Sequence, residues 1–214
     1  MAGLMALVFG SRSELHRDLF WQSWNDDHEG VKRTVMEIEK RGTLNGLAIN
    51  SYAWACIHTG DASSGLEFLS RNRERFDVSQ ARVFEGTFRV LLGDDSGALE
   101  LLLPSPAKFF QRRRSGSFEG QRCYMLAIIY CRMSRFAEAM SWFCHALGHS
   151  SDDTRVSKGM IDILRIADSS DRAKLIQVME DFRDSRHRSW FVSRSDDVSK
   201  RMEEVLIVAT RLAR

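Results

Sequence analysis

Apolar positions recur through residues 123–147, CYMLAIIYCRMSRFAEAMSWFCHAL, with the 3.6-residue period of one helical face. That period predicts two antiparallel helices joined at Ser134. Leu126, Ala127 and Tyr130 face the core from the first, and Phe136, Ala139, Met140, Phe143, Ala146 and Leu147 from the second. The small side chain of Ala139 lets two helix backbones approach closely. Sliding this register along the chain finds five copies of a small residue preceded five positions earlier by a turn former. The small residues are Gly30, Gly65, Ala98, Ala139 and Ala173, spaced by 35, 33, 41 and 34 residues, and the turns are Asn25, Gly60, Gly93, Ser134 and Asp168. Twelve positions earlier, Ala53, Gly86 and Ala127 give the middle copies a second small contact, which Asp18 and Ile161 do not.

The predicted units run over about residues 12–42, 44–75, 79–103, 120–148 and 153–184, all helix–turn–helix, with a capping helix over 196–212. In the first, Leu15, Leu19 and Phe20 and then Val31, Val35, Met36 and Ile38 form the buried faces, and Gly42 stops the second helix. Asp61 is placed to cap the second helix of the next unit. The fifth is the weakest copy, since Lys174 and Gln177 occupy slots that are apolar elsewhere. The single long spacing is taken up by a basic inserted loop over 104–119, and insertions in stacked repeats collect on a face that often binds. The register resembles a tetratricopeptide repeat, whose signature of a small residue, an aromatic four later and a small residue three after that is matched by Ala139, Phe143 and Ala146. The resemblance implies a single domain of all-α architecture, a right-handed α-α superhelix of about five repeats.

Composition agrees with helix. The 214 residues are 43% apolar and contain two prolines, and no stretch sustains the alternation of a strand. A net charge of +2 gives no overall field to attract nucleic acid or anionic lipid. Cys56, Cys123, Cys131 and Cys144 lie inside apolar helical segments, without disulfide-framework spacing, and read as small core hydrophobes in a reducing compartment. The start, MAGLMALVFG, lacks a preceding basic residue and no run reaches the ~20 apolar residues of a membrane span, so no membrane partner is expected. The expected location is cytoplasmic; Arg12 and Arg17 keep a mitochondrial or other organelle matrix as the alternative.

Catalytic marks are lacking: the chain has no glycine-rich phosphate loop, no His-Glu-x-x-His and no nucleophile elbow, so a non-enzyme with no cofactor and no small-molecule substrate is expected. The best metal candidate, Cys144 with His145 and His149 and one of Asp152 or Asp153, reads more simply as a core thiol beside helix-end histidines, and no metal is expected. The resemblance places ligands along a groove lined by the first helix of each pair. Counted onto this chain, that line holds Asn50, Trp54, His58, Val83, Thr87, Val90, Tyr124, Ile128, Arg132, Lys158 and Arg165. It is aromatic at one end and cationic at the other, suiting a peptide with an apolar anchor and an acidic flank. Chaperone-binding members of the family clamp a terminal carboxylate with lysine and asparagine, but Asn50 has no lysine partner. In the related pentatricopeptide repeats the base-reading position falls on Asn50, Val83, Tyr124 and Lys158, of which only Asn50 is the expected type.

Two basic patches complete the inventory: Lys108, Arg112, Arg113, Arg114 and Arg122, and Arg183, Arg186, His187, Arg188 and Arg194 around Trp190 and Phe191. Arginine interleaved with aromatics can hold phosphate and stack on bases. Ser115 and Ser117 each follow an arginine by three residues and are candidate phosphorylation sites. The sequence therefore points to a protein–protein adaptor or assembly scaffold holding a partner segment. The alternative is an organellar RNA-associated repeat protein, whose phosphate contacts would be salt-sensitive.

Overall fold

The helix boundaries follow from local chemistry. Just before several helices a side-chain oxygen takes one of the unpaired N–H groups: Asp27 accepts from Gly30 at 2.8 Å, Asn45 from Ala48 at 2.9 Å, Asp61 from Ser64 at 3.3 Å, Asp77 from Ser79 at 2.9 Å and Asp168 from Asp171 at 2.8 Å. Five helix ends leave through a left-handed residue, Asp26, Gly42, Gly60, Gly93 and Ser134, with φ of 56°, 68°, 71°, 83° and 58°. In each case the next N–H reaches back five residues, as Asp61 does to Cys56 O and Arg135 to Tyr130 O, both at 2.9 Å.

A computed structural model describes residues 14–103, 116–149, 154–187 and 195–212. Among these the protein is all-α, with eleven α-helices and no strand: α1 (Glu14–Trp24), α2 (His28–Lys40), α3 (Gly46–Thr59), α4 (Ala62–Arg71), α5 (Val78–Leu91), α6 (Asp95–Leu102), α7 (Gly116–Arg132), α8 (Phe136–His149), α9 (Thr154–Ile166), α10 (Ser169–His187) and α11 (Ser195–Leu212). The turn positions Asn25, Gly60, Gly93, Ser134 and Asp168 all fall between helices. The chain divides into two compact units between Asp94 and Asp95.

In the first unit α2 packs on α1 and α3, α4 on α3 and α5, and the alternate helices α1, α3 and α5 also touch in turn. Its core includes Leu19, Val35, Ile38, Ile49, Phe68, Phe84 and Phe88, each worth roughly 1.5–3 kcal/mol on burial. The Tyr52 and Phe68 rings stack at 4.1 Å. Phe88 of α5 lies on the Cα of Gly65 in α4, where a Cβ would collide with the ring.

In the second unit α7 and α8 form the hairpin predicted from residues 123–147, with Leu126, Ala127, Ala139, Met140, Phe143, Ala146 and Leu147 all buried. Here Phe143 of α8 approaches Gly159 of α9, a mirror of the Phe88 and Gly65 arrangement with the glycine now on the later helix. Both α9 and α10 pack on α8 and α11 more than on each other. Arg172 ties their ends, donating to Leu164 O at 2.9 Å, Ala167 O at 2.8 Å and Leu212 O at 2.6 Å, so one guanidinium satisfies terminal carbonyls of α9 and α11. The register corrects one expectation. Gly30, Gly65, Ala98 and Ala139 are buried, but Ala173 is exposed, because α10 turns Leu175 and Met179 into the core instead and leaves Lys174 and Gln177 in water.

Candidate interaction surface

In the first unit α3 carries Asn50, Trp54 and His58 at successive four-residue steps, so the three form one stripe. Asn50 and Trp54 are half-buried and His58 is exposed. The Trp54 indole meets Phe84 edge-on at 5.5 Å, which fixes its plane while leaving part of the ring accessible. The His58 imidazole stacks on His28 of α2 at 4.4 Å with an interplanar angle of 7°.

The same line does not continue onto α5. Thr87 is 0% exposed, Val83 and Val90 are buried with it, and the Thr87 hydroxyl has no hydrogen-bond partner. Packed against both α3 and α4, α5 buries Ala81, Val83, Phe84, Gly86, Thr87, Phe88 and Val90, which leaves no groove face at these positions. Thr87 therefore presents nothing to a partner, contrary to the expectation from helical counting.

In the second unit, Tyr124 is half-buried between Phe143, 5.9 Å away, and Arg155, whose guanidinium lies 5.2 Å over the ring. Ile128 packs against the core. Arg132 is exposed at the end of α7 and pairs with Asp95 at 2.7 Å, joining the end of α7 to the start of α6. Lys158 and Arg165 are exposed on α9, and Arg165 pairs with Asp162 at 3.4 Å.

Lys108, Arg112, Arg113, Arg114 and Ser115 lie outside the described residues, as does the side chain of Ser117. Arg122, expected in that basic surface patch, is 3% exposed. It makes a two-pronged ion pair with Glu119, donates to Leu102 O at 2.8 Å and sits 5.3 Å over the Trp142 ring. Burial raises the Glu119 pKa, but the Arg122 hydrogen bonds and charge, with smaller help from His149 and Cys123, outweigh it and hold the carboxyl below its ordinary value. The correction has a local cause: a carboxylate three residues earlier neutralises the guanidinium, so helix α7 can bury both.

Of the second basic patch, Arg183 pairs with Asp184 at 3.2 Å. Arg188, Trp190, Phe191 and Arg194 lie outside the described residues, as do the side chains of Arg186 and His187.

Cys144 is buried while its neighbour His145 is exposed, packed 5.2 Å edge-on against Phe182. Asp152 and Asp153 lie outside the described residues, and among the described ones no group of three side chains could hold a metal. Burial pushes the thiols of Cys56 and Cys123 up to about 12 and that of Cys131 to about 11, which keeps them protonated and unreactive at neutral pH. Among the described residues no helix is long and apolar enough to cross a membrane.

The counting missed one surface. On α1 the inner side buries Leu19 and His16, while Trp21 and Trp24 are 38% and 71% exposed beside Phe20. Its signal was present in the sequence as two tryptophans three residues apart, off the Leu15–Leu19 face. Against known protein families, characterised proteins and solved structures, the chain shows no match.

Proposed function

We propose that the protein is a non-enzymatic scaffold of stacked helix pairs, resembling tetratricopeptide repeats in a right-handed superhelix, that holds a segment of a partner protein. The observation that carries this reading is the α3 stripe: a half-exposed indole at Trp54, oriented by Phe84, flanked by the polar Asn50 and the exposed imidazole of His58. An oriented aromatic with a polar rim is the composition of a binding hot spot. Such a stripe takes an apolar side chain against Trp54 and backbone or carboxylate hydrogen bonds from Asn50 and His58. Lys158 and Arg165 are candidate contacts for acidic partner residues. Of the cations on which the RNA alternative draws, Arg122 is buried and neutralised by Glu119 and offers no phosphate contact.

The test is a photo-crosslinking residue placed at His58 in cells, with an equivalent probe at exposed Lys200 as control. One protein crosslinked at position 58 but not at 200 is expected. Trp54→Ala should weaken its binding about 30-fold or more, the ~2 kcal/mol of a hot-spot aromatic, with helical circular dichroism preserved. Equal crosslinking at both positions, or binding indifferent to Trp54→Ala, refutes the reading.

A further inference from the structure

We propose that α1 pairs with α1 of a second copy of the chain, antiparallel and centred near Trp21, so that the protein is a homodimer through the outer face of its first helix. This goes beyond the scaffold reading; His28, which stacks on His58, lies at its edge, while Arg17, Trp21 and Trp24, through which it is tested, lie on α1 and off the α3 stripe. The helix buries Leu19 and His16 on its inner side and still presents Trp21 and Trp24 to water. Both lean on the Phe20 ring, Trp21 edge-on at 5.6 Å and Trp24 stacked at 6.1 Å. The result is one continuous aromatic patch held in a fixed shape before any partner arrives, which is how interface anchors are built.

The charge pattern selects a second copy as the occupant. Glu14, Arg17 and Asp18 lie exposed before Trp21, and Asn25, Asp26, Asp27 and His28 follow Trp24. In an antiparallel pair centred on Trp21, residues equally distant on either side of it face each other. Arg17 then meets Asn25 and the acidic Asp26–Asp27 turn of the other copy, Glu14 meets His28, and Trp24 meets Asp18 and Arg17 within cation–π reach. Each contact occurs twice, as a two-fold interface requires. Among the described residues Arg17 pairs with exposed Glu14 at 3.6 Å, a loose pair that rearranges at little cost. Buried aromatics hide ~150–250 Å² apiece. At 38% and 71% exposure Trp21 and Trp24 together offer about one such ring per copy, so even with their polar flanks they fall below the ~1,200 Å² low end of stable interfaces, and a weak dimer, with a dissociation constant on the order of 10–100 µM, is expected.

Sedimentation equilibrium from 1 to 200 µM tests this. The mass should rise from 24.5 kDa toward about twice that value with concentration. Trp21→Ala/Trp24→Ala should weaken the dimer at least 100-fold, and Arg17→Glu about tenfold. Should the double variant lose its helical circular dichroism, Arg17→Glu, a change at an exposed position, decides. A monomer at 200 µM overturns the proposal, and so does a dimer indifferent to these substitutions. A monomer whose tryptophan emission shifts to the red on deleting residues 1–13 also overturns it, by assigning the patch to the chain's own beginning.

Discussion

Arg122 is the residue whose removal should hurt most for a side chain that carries charge. Arg122→Ala takes three things away at once: the ion pair that neutralises Glu119, the donor to Leu102 O and the cation over Trp142. The contributions overlap. Breaking a buried pair by deleting one partner costs about 3–5 kcal/mol, most of it the stranded charge, and an orphaned carbonyl adds roughly 1 kcal/mol more. A loss of about 4 kcal/mol at pH 7 is therefore expected in urea denaturation. Glu119→Gln added to Arg122→Ala should recover part of it, since no unpaired carboxylate then remains.

The pH dependence has a definite sign. In the native protein Glu119 ionises below its ordinary value, so its contribution is fully present above the usual carboxylate range and disappears as pH falls through the lowered pKa. In Arg122→Ala burial is the largest influence left on Glu119, opposed only by the smaller help of His149 and Cys123, so its pKa rises and acid relieves the penalty. The gap between the two proteins should thus narrow from pH 7 to pH 4. Arg135 supplies the control: it pairs with Glu138 at the same three-residue spacing but half in water, over the Tyr130 ring at 4.8 Å, and Arg135→Ala should cost no more than about 1 kcal/mol. A cost for Arg122→Ala below about 1 kcal/mol, or a gap that widens on acidification, would refute the reasoning.

Two further substitutions probe the backbone. Gly65→Ala should destabilise by roughly 1–2 kcal/mol in urea denaturation, because the clash with Phe88 overrides the ~1 kcal/mol that helix propensity alone would give. Gly46→Ala, which meets nothing within 4 Å, should show no such loss. Ser134→Gly should raise stability by roughly 0.5–1 kcal/mol, measured the same way, because Ser134 carries a side chain at φ 58° where Gly42, Gly60 and Gly93 carry none; a neutral or negative effect would mean that the turn holds Ser134 by another interaction.

Much of the candidate stripe was legible and part was not. Asn50, Trp54 and His58 fall on one face by helical counting alone, and the structure leaves that face accessible. The same counting placed Thr87 in a groove, yet packing of α5 against α3 and α4 closes its outer positions. Arg122 read as surface charge, but Glu119 one turn away and the end of α6 make an enclosed site for it. Neither outcome is encoded in the periodicity of a single helix.

What the amino-acid sequence determined by itself is the set of helices, their turns and the buried face of residues 123–147. These depend on forces that act within a few residues: a 3.6-residue apolar period, a capping oxygen at Asp27, Asn45 or Asp77, and a left-handed glycine at positions 60 and 93. Only the tertiary structure decided which nominally equivalent positions became core and which stayed wet. Ala173 is exposed because α10 presents Leu175 and Met179 instead, Gly65 must lack a side chain because Phe88 occupies the space, and Trp24 remains in water because α2 and α3 cover only the inner side of α1. Burial is a property of the neighbour that arrives, and that neighbour lies a helix or more away in sequence.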